Sequence, residues 1–468
     1  MNPHALLIPS PGQGHINPMM QLAWKLVSDG FLVTFLNTDF NHHRIIQANT
    51  KNSSQNNSDM IRMISVPVEL PAMEGTNSVE NFLEALNRGM GASVIDKIVA
   101  EINEKGGGQK LTCIIADAWS CFGLQAVANI HGVSLAVFNT ALVSLFAIRY
   151  FSPALVSLGI LPSDGIPKED KIVKYLPSMP PLYSRDLPWL YGGEYLFQKG
   201  IRMAEEIKQI KWMLFNSFYE LEVPVVEELS KEVGVYPIGP LIPFDFLDGH
   251  SRKTTKVLPS FWTDEVECLE WLDKQHAQSV IYVSFGSFAA LNEKQVEELA
   301  AGLEATRRPF LWVVRSDQME SSKTVFSPVF LERIRERGCI VSWAPQLRVL
   351  SHPAIVCFVT HCGWNSVQES ITMGVPMLCW PYFGDQFLNR TYIVDVWKVG
   401  LALKTNKDGQ IDKGVFTKTV ETLLDGERSV KIREEANKLK TIARNTMKEG
   451  GSSSNNYNLF VNAMKKQP

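Results

Sequence analysis

The densest run of chemically versatile side chains in this 468-residue chain lies in Trp343–Gln386. An apolar run at Ile355–Val359 predicts a strand, and Asn365 then begins a predicted helix. The N–H groups and the dipole at the start of a helix suit a pyrophosphate group. His361 and Ser366 lie beside this helix start and add side-chain donors. The pattern therefore favours a diphosphate site at the end of this strand.

Three further side chains of the same segment have the chemistry to hold a nucleoside. Glu369 lies one helical turn beyond Asn365, where its two carboxylate oxygens could accept hydrogen bonds from a ribose diol. Trp343 offers a flat face for a base, and Gln346 is near enough along the chain to contact the edge of that base. Together with the helix start, these residues predict a nucleotide site.

Metal ions offer an alternative interpretation of this region. His352, Cys357, His361 and Cys362 are residue types that bind zinc, but Cys357 falls inside an apolar strand and no paired short spacing is present. No Asp-x-Asp pair stands in a suitable loop for Mg²⁺ to bridge a diphosphate. We therefore predict no metal ion, with the pyrophosphate neutralised by helix and side-chain donors.

A second loop with chemical potential, Pro9–Pro18, follows the first predicted strand. Gly12 and Gly14 match two glycines of a dinucleotide fingerprint, whereas Asn17 occupies the third glycine position. Asp39, after the second predicted strand, could mimic the ribose-binding acid of such sites. A nicotinamide-dependent oxidoreductase is thus an alternative interpretation of this loop.

His15 belongs to this loop, which extends from the carboxyl end of a strand, where side chains of α/β sheets meet ligands. A neutral imidazole is a suitable general base for an alcohol or phenol when a carboxylate holds its tautomer. Asp117 ends another strand and is expected at the same edge of the sheet. Taken singly, His15 could be a surface histidine and Asp117 a helix N-cap. Taken together, they favour a catalytic pair.

The elements that must position these residues follow a regular order. Short apolar runs alternate with amphipathic stretches, which is typical of parallel sheets with helices on both faces. The alternation weakens between Pro153 and Ile210, where we predict a mobile, ligand-facing insertion. The expected fold is α/β, with two Rossmann-like, doubly wound domains facing a central cleft. The predicted divisions are an N-terminal domain at 1–245, a linker at 246–263, a C-terminal domain at 264–450 and a helix at 451–468 that returns to the N-terminal domain.

Composition narrows the class of protein. Hydrophobic residues make up 45% of the chain and charged residues 20%, with a net charge of −3, so large cores are possible and the basic surface of a nucleic-acid binder is absent. A small-molecule partner is expected. The start of the chain lacks the features of a signal peptide and no apolar run reaches membrane-spanning length, so we predict a cytoplasmic monomer whose seven cysteines are reduced.

The whole chain resembles the plant UDP-dependent glycosyltransferases of glycosyltransferase family 1, which have the GT-B fold. The resemblance is carried by the 44-residue segment Trp343–Gln386, which matches the family's secondary-product signature, and by the Pro-Gly-Gln-Gly-His-Ile-Asn-Pro loop. It implies an inverting hexosyltransferase that moves glucose from UDP-glucose to a hydroxyl of a flavonoid, another phenolic or a terpenoid. No cofactor and no metal ion are implied. C-glycosyl transfer stays an alternative, and a non-catalytic UDP-sugar-binding protein fits less well because both His15 and Asp117 are present.

The same resemblance implies a role for each matching residue. His15 is the expected base and Asp117 its partner, and Gln386 resembles members that use glucose, whereas histidine there is associated with galactose. The residues expected to bind the UDP-sugar are Gly14, Thr140, Ser287, Trp343, Ala344, Gln346, His361, Gly363, Trp364, Asn365, Ser366, Glu369, Asp385 and Gln386. The chain departs from the family at Asn139, where an aromatic is common, and at Gly384, which is often alanine.

The acceptor pocket is expected mainly in the N-terminal domain, which carries the expected base. Aromatic side chains that could present a surface to a lipophilic acceptor are Trp119, Phe122, Phe146, Tyr183, Phe197, Tyr382 and Phe383. Core packing is an equally good interpretation of each of them taken singly.

Overall fold

The computed structural model describes residues 2–51, 60–69, 78–105, 109–174, 176–243, 246, 267–286, 291–314, 326–407 and 409–466, with only the backbone described at 47–51, 78 and 105. These residues form two compact units. One contains the residues up to Ile242 together with those from Asn445 onward, and the other contains the residues between them. The sequence-based divisions at 245 and 450 lie within a few residues of these positions.

A seven-stranded parallel sheet forms the centre of the first unit. Its strands are β1 (His4–Ile8), β2 (Leu32–Thr38), β3 (Ile61–Val66), β4 (Cys113–Asp117), β5 (Ser134–Asn139), β8 (Trp212–Phe215) and β9 (Val235–Pro237). They lie in the order β3-β2-β1-β4-β5-β8-β9. Because β1 pairs with β4 and β4 with β5 in parallel, the carboxyl ends of these three strands lie side by side. A short antiparallel pair joins β6 (Ile172–Val173) to β7 (Leu182–Tyr183).

Helices connect the parallel strands of the first unit. They are α1 (Gln13–Ser28), α2 (Asp39–Lys51), α3 (Ser78–Met90), α4 (Ala92–Lys105), α5 (Leu124–His131), α6 (Val143–Ser157), α7 (Gly193–Ile207) and α8 (Val223–Leu229). Strands β1 and β4 are buried along their whole length, as expected of parallel strands covered on both faces.

The second unit has the same architecture on a six-stranded sheet. Its strands are β10 (Val280–Ser284), β11 (Phe310–Val313), β12 (Gly338–Val341), β13 (Ile355–Thr360), β14 (Met377–Cys379) and β15 (Gly400–Ala402), in the order β12-β11-β10-β13-β14-β15. Its helices are α9 (Glu267–Asp273), α10 (Glu293–Ala305), α11 (Pro328–Ile334), α12 (Gln346–Leu350), α13 (Trp364–Met373), α14 (Gln386–Thr391), α15 (Lys413–Leu424) and α16 (Glu427–Thr446). The prediction of two doubly wound α/β domains is confirmed.

The two ends of the stretch between Pro153 and Ile210, predicted as an insertion, are helical in the structure. Helix α6 continues through Pro153 to Ser157, and α7 occupies Gly193–Ile207. Helix α7 buries Leu196, Phe197, Met203 and Ile207, among other residues, against the rest of the first unit. Spacings of three and four residues between apolar positions are the normal pattern of an amphipathic helix, so the signal was present in the sequence.

The last helix, α17 (Ser452–Lys465), belongs to the core of the first unit. Tyr457, Phe460, Val461 and Met464 are at most 3% exposed. The Phe460 ring meets the Trp212 indole edge to face, with 5.5 Å between ring centroids. No helix in the described part of the chain is both long enough and apolar enough to span a membrane.

Phe460→Ala should destabilise the first unit by about 3–5 kcal/mol, because it leaves a cavity beside Trp212 in a closely packed core. Unfolding in urea, followed by tryptophan fluorescence, measures this loss. Leu459→Ala is the matched control, since Leu459 is the preceding residue of the same helix but is 54% exposed. Its stability should stay within about 0.5 kcal/mol of the original. Equal losses in the two variants would contradict the packing of α17 described here.

Candidate functional site

In the first unit, His15 and Asp117 come together at the carboxyl end of the sheet. His15 lies in the first turn of α1, and Asp117 is the last residue of β4. His15 Nδ1 is 2.7 Å from Asp117 Oδ2. The His15 side chain is 32% exposed and the Asp117 side chain only 1%. The arrangement combines an accessible imidazole with a buried carboxylate.

The other Asp117 oxygen is also well satisfied. Oδ1 accepts a hydrogen bond from the Ser10 hydroxyl at 2.9 Å and another from the Trp119 backbone N–H at 2.9 Å. Asp117 thereby caps the short 3₁₀-helix that starts at Ala118 while it also contacts His15. The two sequence-based interpretations of Asp117, helix cap and histidine partner, both describe this residue.

These contacts determine the tautomer of His15. An ionised carboxylate only accepts hydrogen bonds, so the 2.7 Å contact requires the proton to be on Nδ1. The lone pair of the neutral imidazole is then on Nε2. Thr140 is the residue after β5, and its Oγ1 lies 3.0 Å from the same Nδ1. Thr140 is thus a second neighbour of the ring.

In the second unit, His361 follows β13 and is packed between two glycines. A Cβ atom on Gly286 would lie 2.6 Å from His361 Cε1, and one on Gly363 would lie 2.3 Å from His361 Nε2. Gly286 also has a φ of +71°, which favours glycine. Burial lowers the pKa of His361 to about 4, so the imidazole is neutral at pH 7 and donates from only one of its ring nitrogens.

Helix α13 begins directly after this histidine. Its N-cap is Gly363, a residue that has no side chain to cap the helix N-terminus. Trp364 starts the helix, one residue before the predicted start at Asn365, and its indole is buried. The first turn of this ten-residue helix therefore has the charge and the donors that suit an anion.

Gln346, Ser366 and Glu369 form one hydrogen-bonded group. Gln346 Nε2 donates to Ser366 Oγ at 2.9 Å and to Glu369 Oε2 at 2.8 Å, and Gln346 Oε1 accepts from the Tyr282 hydroxyl at 3.3 Å. Desolvation raises the pKa of Glu369 to about 7, although the Gln346 bond opposes the shift. In this structure, the side chain of Gln346 thus holds two neighbours of the site in position.

Asp385 and Gln386 are fixed by contacts at the start of α14. Gln386 Oε1 accepts from the backbone N–H groups of Tyr382 at 2.8 Å and Phe383 at 3.2 Å. Its amide nitrogen remains the donor end of the side chain. Asp385 Oδ2 accepts from Asn389 Nδ2 at 2.9 Å, and the same nitrogen also donates to the Cys362 carbonyl at 2.8 Å.

The other residues expected to bind the UDP-sugar have different environments. Gly14 lies in the first turn of α1, Trp343 is partly buried and Ala344 is buried. Ser287 lies outside the described residues.

The predicted acceptor residues divide into partly accessible and buried groups. Trp119, Phe122 and Phe383 are partly buried, and Tyr183 is 43% exposed with the Arg185 guanidinium over its ring.

Two predictions of an aromatic surface are corrected by the structure. Phe146 and Phe197 are each 2% exposed, and they pack against Phe215 and Trp189, respectively. Burial of Phe146 and Phe197 removes their apolar area from water. The Tyr382 ring packs against Phe285 and Trp380, with 6.0 and 5.4 Å between centroids, but Tyr382 stays partly accessible.

The residues weighed as zinc ligands have other surroundings. His352 Nε2 lies 3.2 Å from Asp273 Oδ1, and Cys357 is fully buried within β13. Among the described residues, no three His, Cys, Asp or Glu side chains are grouped so that they could hold a metal ion.

Several residues of the site had no clear signal in the sequence. Ser10, Tyr282 and Asn389 support Asp117, Gln346 and Asp385, respectively. Their roles depend on strands and helices that are distant in sequence. Only Ser10 lies in a segment that the sequence marked as functional, the loop after β1.

Comparison with known proteins places these features in context. Residues 197–444, more than half of the chain, match the family described as UDP-glucoronosyl and UDP-glucosyl transferase. UDP-glycosyltransferase 83A1 of Arabidopsis thaliana is 34% identical, over 99% of this chain and 97% of that protein. The 7-deoxyloganetin glucosyltransferase of Catharanthus roseus is 32% identical, over 100% and 97%.

Solved structures with the same architecture include enzymes with bound donors and acceptors. Phytolacca americana UGT2, complexed with UDP-2fluoro-glucose and pterostilbene, has a TM-score of 0.81 and 26% identity, covering 99% of this chain and 100% of that one. A UDP-glucosyltransferase from Polygonum tinctorium capable of glucosylating indoxyl, in complex with 3,4-dichloroaniline, has a TM-score of 0.84 and 26% identity, covering 100% and 99%.

Glu369→Gln should make the folded protein less sensitive to pH. The pKa of Glu369 is raised to about 7 in the folded state, so its ionisation weakens folding as the pH rises from about 4.5 through 7. Glutamine does not titrate. The melting temperature of the variant relative to the original should therefore increase between pH 5 and pH 8.

Differential scanning fluorimetry over this pH range makes the comparison. Glu336→Gln, at an exposed position of the same unit, is the control and should give a constant difference. A constant difference for Glu369→Gln as well would show that burial does not disfavour its charged form.

Proposed function

Because the chain belongs to the UDP-glucoronosyl and UDP-glucosyl transferase family, and within it to the plant family 1 UDP-glycosyltransferases, we propose that it transfers glucose from UDP-glucose to a hydroxyl of a small lipophilic acceptor. It is a hexosyltransferase with two Rossmann-like units of the GT-B class. The contact between His15 Nδ1 and Asp117 Oδ2 carries the mechanistic part of this proposal.

The proposed reaction is a single displacement at the anomeric carbon. As the acceptor oxygen forms its bond to this carbon, its proton passes to His15 Nε2, and the bond from the carbon to the UDP oxygen breaks. The configuration therefore inverts from α to β. Asp117 stabilises the imidazolium that forms, because its buried carboxylate already accepts from Nδ1.

The proposed donor site uses the second unit. The first turn of α13 and the neutral His361 would donate to the diphosphate, and Trp343 would stack on uracil. Glu369 would accept from the ribose hydroxyls in its ionised form. A desolvated carboxylate that accepts from the Gln346 amide gains free energy when a ligand adds further donors. No cofactor or metal ion takes part in this proposal.

The acceptor class is inferred from chemistry and from relatives. Partly accessible Trp119 and Phe122 follow Asp117 closely in the chain, which supports an apolar acceptor beside the proposed base. Relatives include the 7-deoxyloganetin glucosyltransferase and a (R)-mandelonitrile beta-glucosyltransferase of Prunus dulcis, 31% identical over 96% of this chain. We therefore favour O-glucosylation of a small alcohol or phenol.

Transfer can be tested with purified protein, UDP-glucose and a panel of phenols, terpenoid alcohols and cyanohydrins. UDP release and a product heavier by one hexose unit are expected, and NMR should show a β-linkage. Trp343→Ala should mainly raise KM for UDP-glucose, because stacking on uracil contributes equally in the ground and transition states. Retained α configuration, or release of UDP without a glycosylated product, would reject the proposed reaction.

Gln386→His should reduce the preference for UDP-glucose over UDP-galactose by about tenfold, equal to about 1.4 kcal/mol. The two sugars differ at one hydroxyl, and we propose that the Gln386 amide nitrogen donates to the sugar while Oε1 accepts from the backbone. Competition between the two donors, followed by mass spectrometry of labelled products, gives the ratio.

Gln386→Glu is the matched control for this prediction. It keeps an oxygen for the Tyr382 and Phe383 N–H groups but removes the amide donor. Transfer from UDP-glucose should fall without a gain for UDP-galactose. An unchanged donor ratio in Gln386→His would show that other residues select the sugar.

A further inference from the structure

Lys199 is a buried cation in the first unit that the proposed mechanism does not use. It lies in α7, and its side chain is only 2% exposed. Its ammonium group has no hydrogen-bond partner among the residues that the structure describes. A buried ammonium group with unused donors costs free energy unless another group pairs with it.

Two aromatic rings lie near this ammonium group. Nζ lies 5.0 Å from the centroid of the Phe122 ring and 6.0 Å from that of Tyr195. Aromatic faces attract a cation, but they do not accept its hydrogen bonds as an oxygen does. Phe122 itself is partly accessible. The cation thus lies near a ring that is partly accessible.

Lys199 also lies close to the segment that follows Asp117. The buried Cys121 thiol has its pKa raised by desolvation and by the negative charges of Glu206 and Asp117, while the charge of Lys199 lowers it. The Cys121 thiol is therefore near enough to both Asp117 and Lys199 for their charges to affect its pKa. Since Cys121 and Phe122 follow the 3₁₀-helix capped by Asp117, the ammonium group lies near the segment next to the proposed partner of the base.

We propose that Lys199 recognises acceptors that carry a carboxylate in addition to the hydroxyl that receives the sugar. This inference rests on the proposed function, because it assumes that the acceptor binds beside His15. The flexible four-carbon stem of Lys199 lets Nζ move toward a carboxylate next to Phe122, where the pair would satisfy its N–H groups. Carboxylated and neutral acceptors are then distinguished by one side chain.

Charged and titratable groups around Lys199 define the expected pH dependence. Desolvation and the charge of Arg202 lower the pKa of Lys199 to about 8, while Cys121 and Glu84 raise it. Tyr195 is the other titratable neighbour. As pH rises through about 8, the free enzyme loses the ammonium charge. KM for a carboxylated acceptor should therefore rise above this pH relative to KM for a neutral one.

Lys199→Met and Lys199→Arg test the proposal with 4-hydroxybenzoate and its neutral methyl ester as acceptors. Methionine has a similar shape without the charge, and arginine keeps the charge. Lys199→Met should raise KM for 4-hydroxybenzoate at least about tenfold and change KM for the ester less than about threefold. Lys199→Arg should restore part of the difference. The melting temperature of Lys199→Met should not fall, because an unpaired buried charge is removed.

A binding measurement separates this proposal from the proposed function. Isothermal titration of the unmodified enzyme with each compound, in the presence of UDP, does not require transfer. Tighter binding of 4-hydroxybenzoate than of the ester, lost in Lys199→Met, supports the role of Lys199 even if no glucoside forms. Equal binding of the two compounds, or an equal loss of both in Lys199→Met, overturns it. An absence of transfer to every acceptor rejects only the proposed function.

Discussion

A buried carboxylate is stable only when its oxygens are satisfied, and Asp117 shows how the first unit meets this requirement. Ser10, the Trp119 backbone and His15 each contribute a contact of 2.7–2.9 Å. Because β1 and β4 are neighbours in a parallel sheet, the loops that follow them meet at one edge. The contact with His15 that helps to stabilise the carboxylate also determines the tautomer of His15. Folding of this edge of the sheet therefore also leaves the lone pair of the imidazole on Nε2.

The carboxylate of the second unit differs in its surroundings. The Glu369 carboxylate accepts from the Gln346 amide, and desolvation still raises its pKa to about 7. Asp117 has its contacts within the protein itself, whereas in the proposed donor site Glu369 would gain from the hydroxyl donors of a nucleotide. His361 is also buried, and its neutral ring fits only because Gly286 and Gly363 have no side chains. The second unit thus contains two desolvated polar side chains, Glu369 and His361, that a nucleotide in the proposed donor site would stabilise.

Sequence patterns predicted the fold and the two carboxylates because both depend on local order. Strand, loop and helix follow each other in the chain, so the ends of strands could be assigned and His15 matched with Asp117. Helix α7 was missed although its apolar spacing was regular, because Pro, Gly and Tyr in the preceding stretch suggested an irregular segment. Phe146 and Phe197 could not be assigned, since an aromatic ring suits a core and a ligand surface equally. The need for glycine at 286 arises from contact with His361, which is distant in sequence and follows β13.

The central claim is that His15 takes a proton from the acceptor. It is tested most directly by kcat for acceptors of graded pKa, from aliphatic alcohols to acidic phenols and thiols, in the original enzyme and in His15→Ala. General-base catalysis predicts a loss of about 10²–10⁴-fold for alcohols that shrinks steadily as the acceptor becomes ionised near neutral pH. The same loss at every acceptor pKa would show that His15 only positions the acceptor, and it would contradict the account.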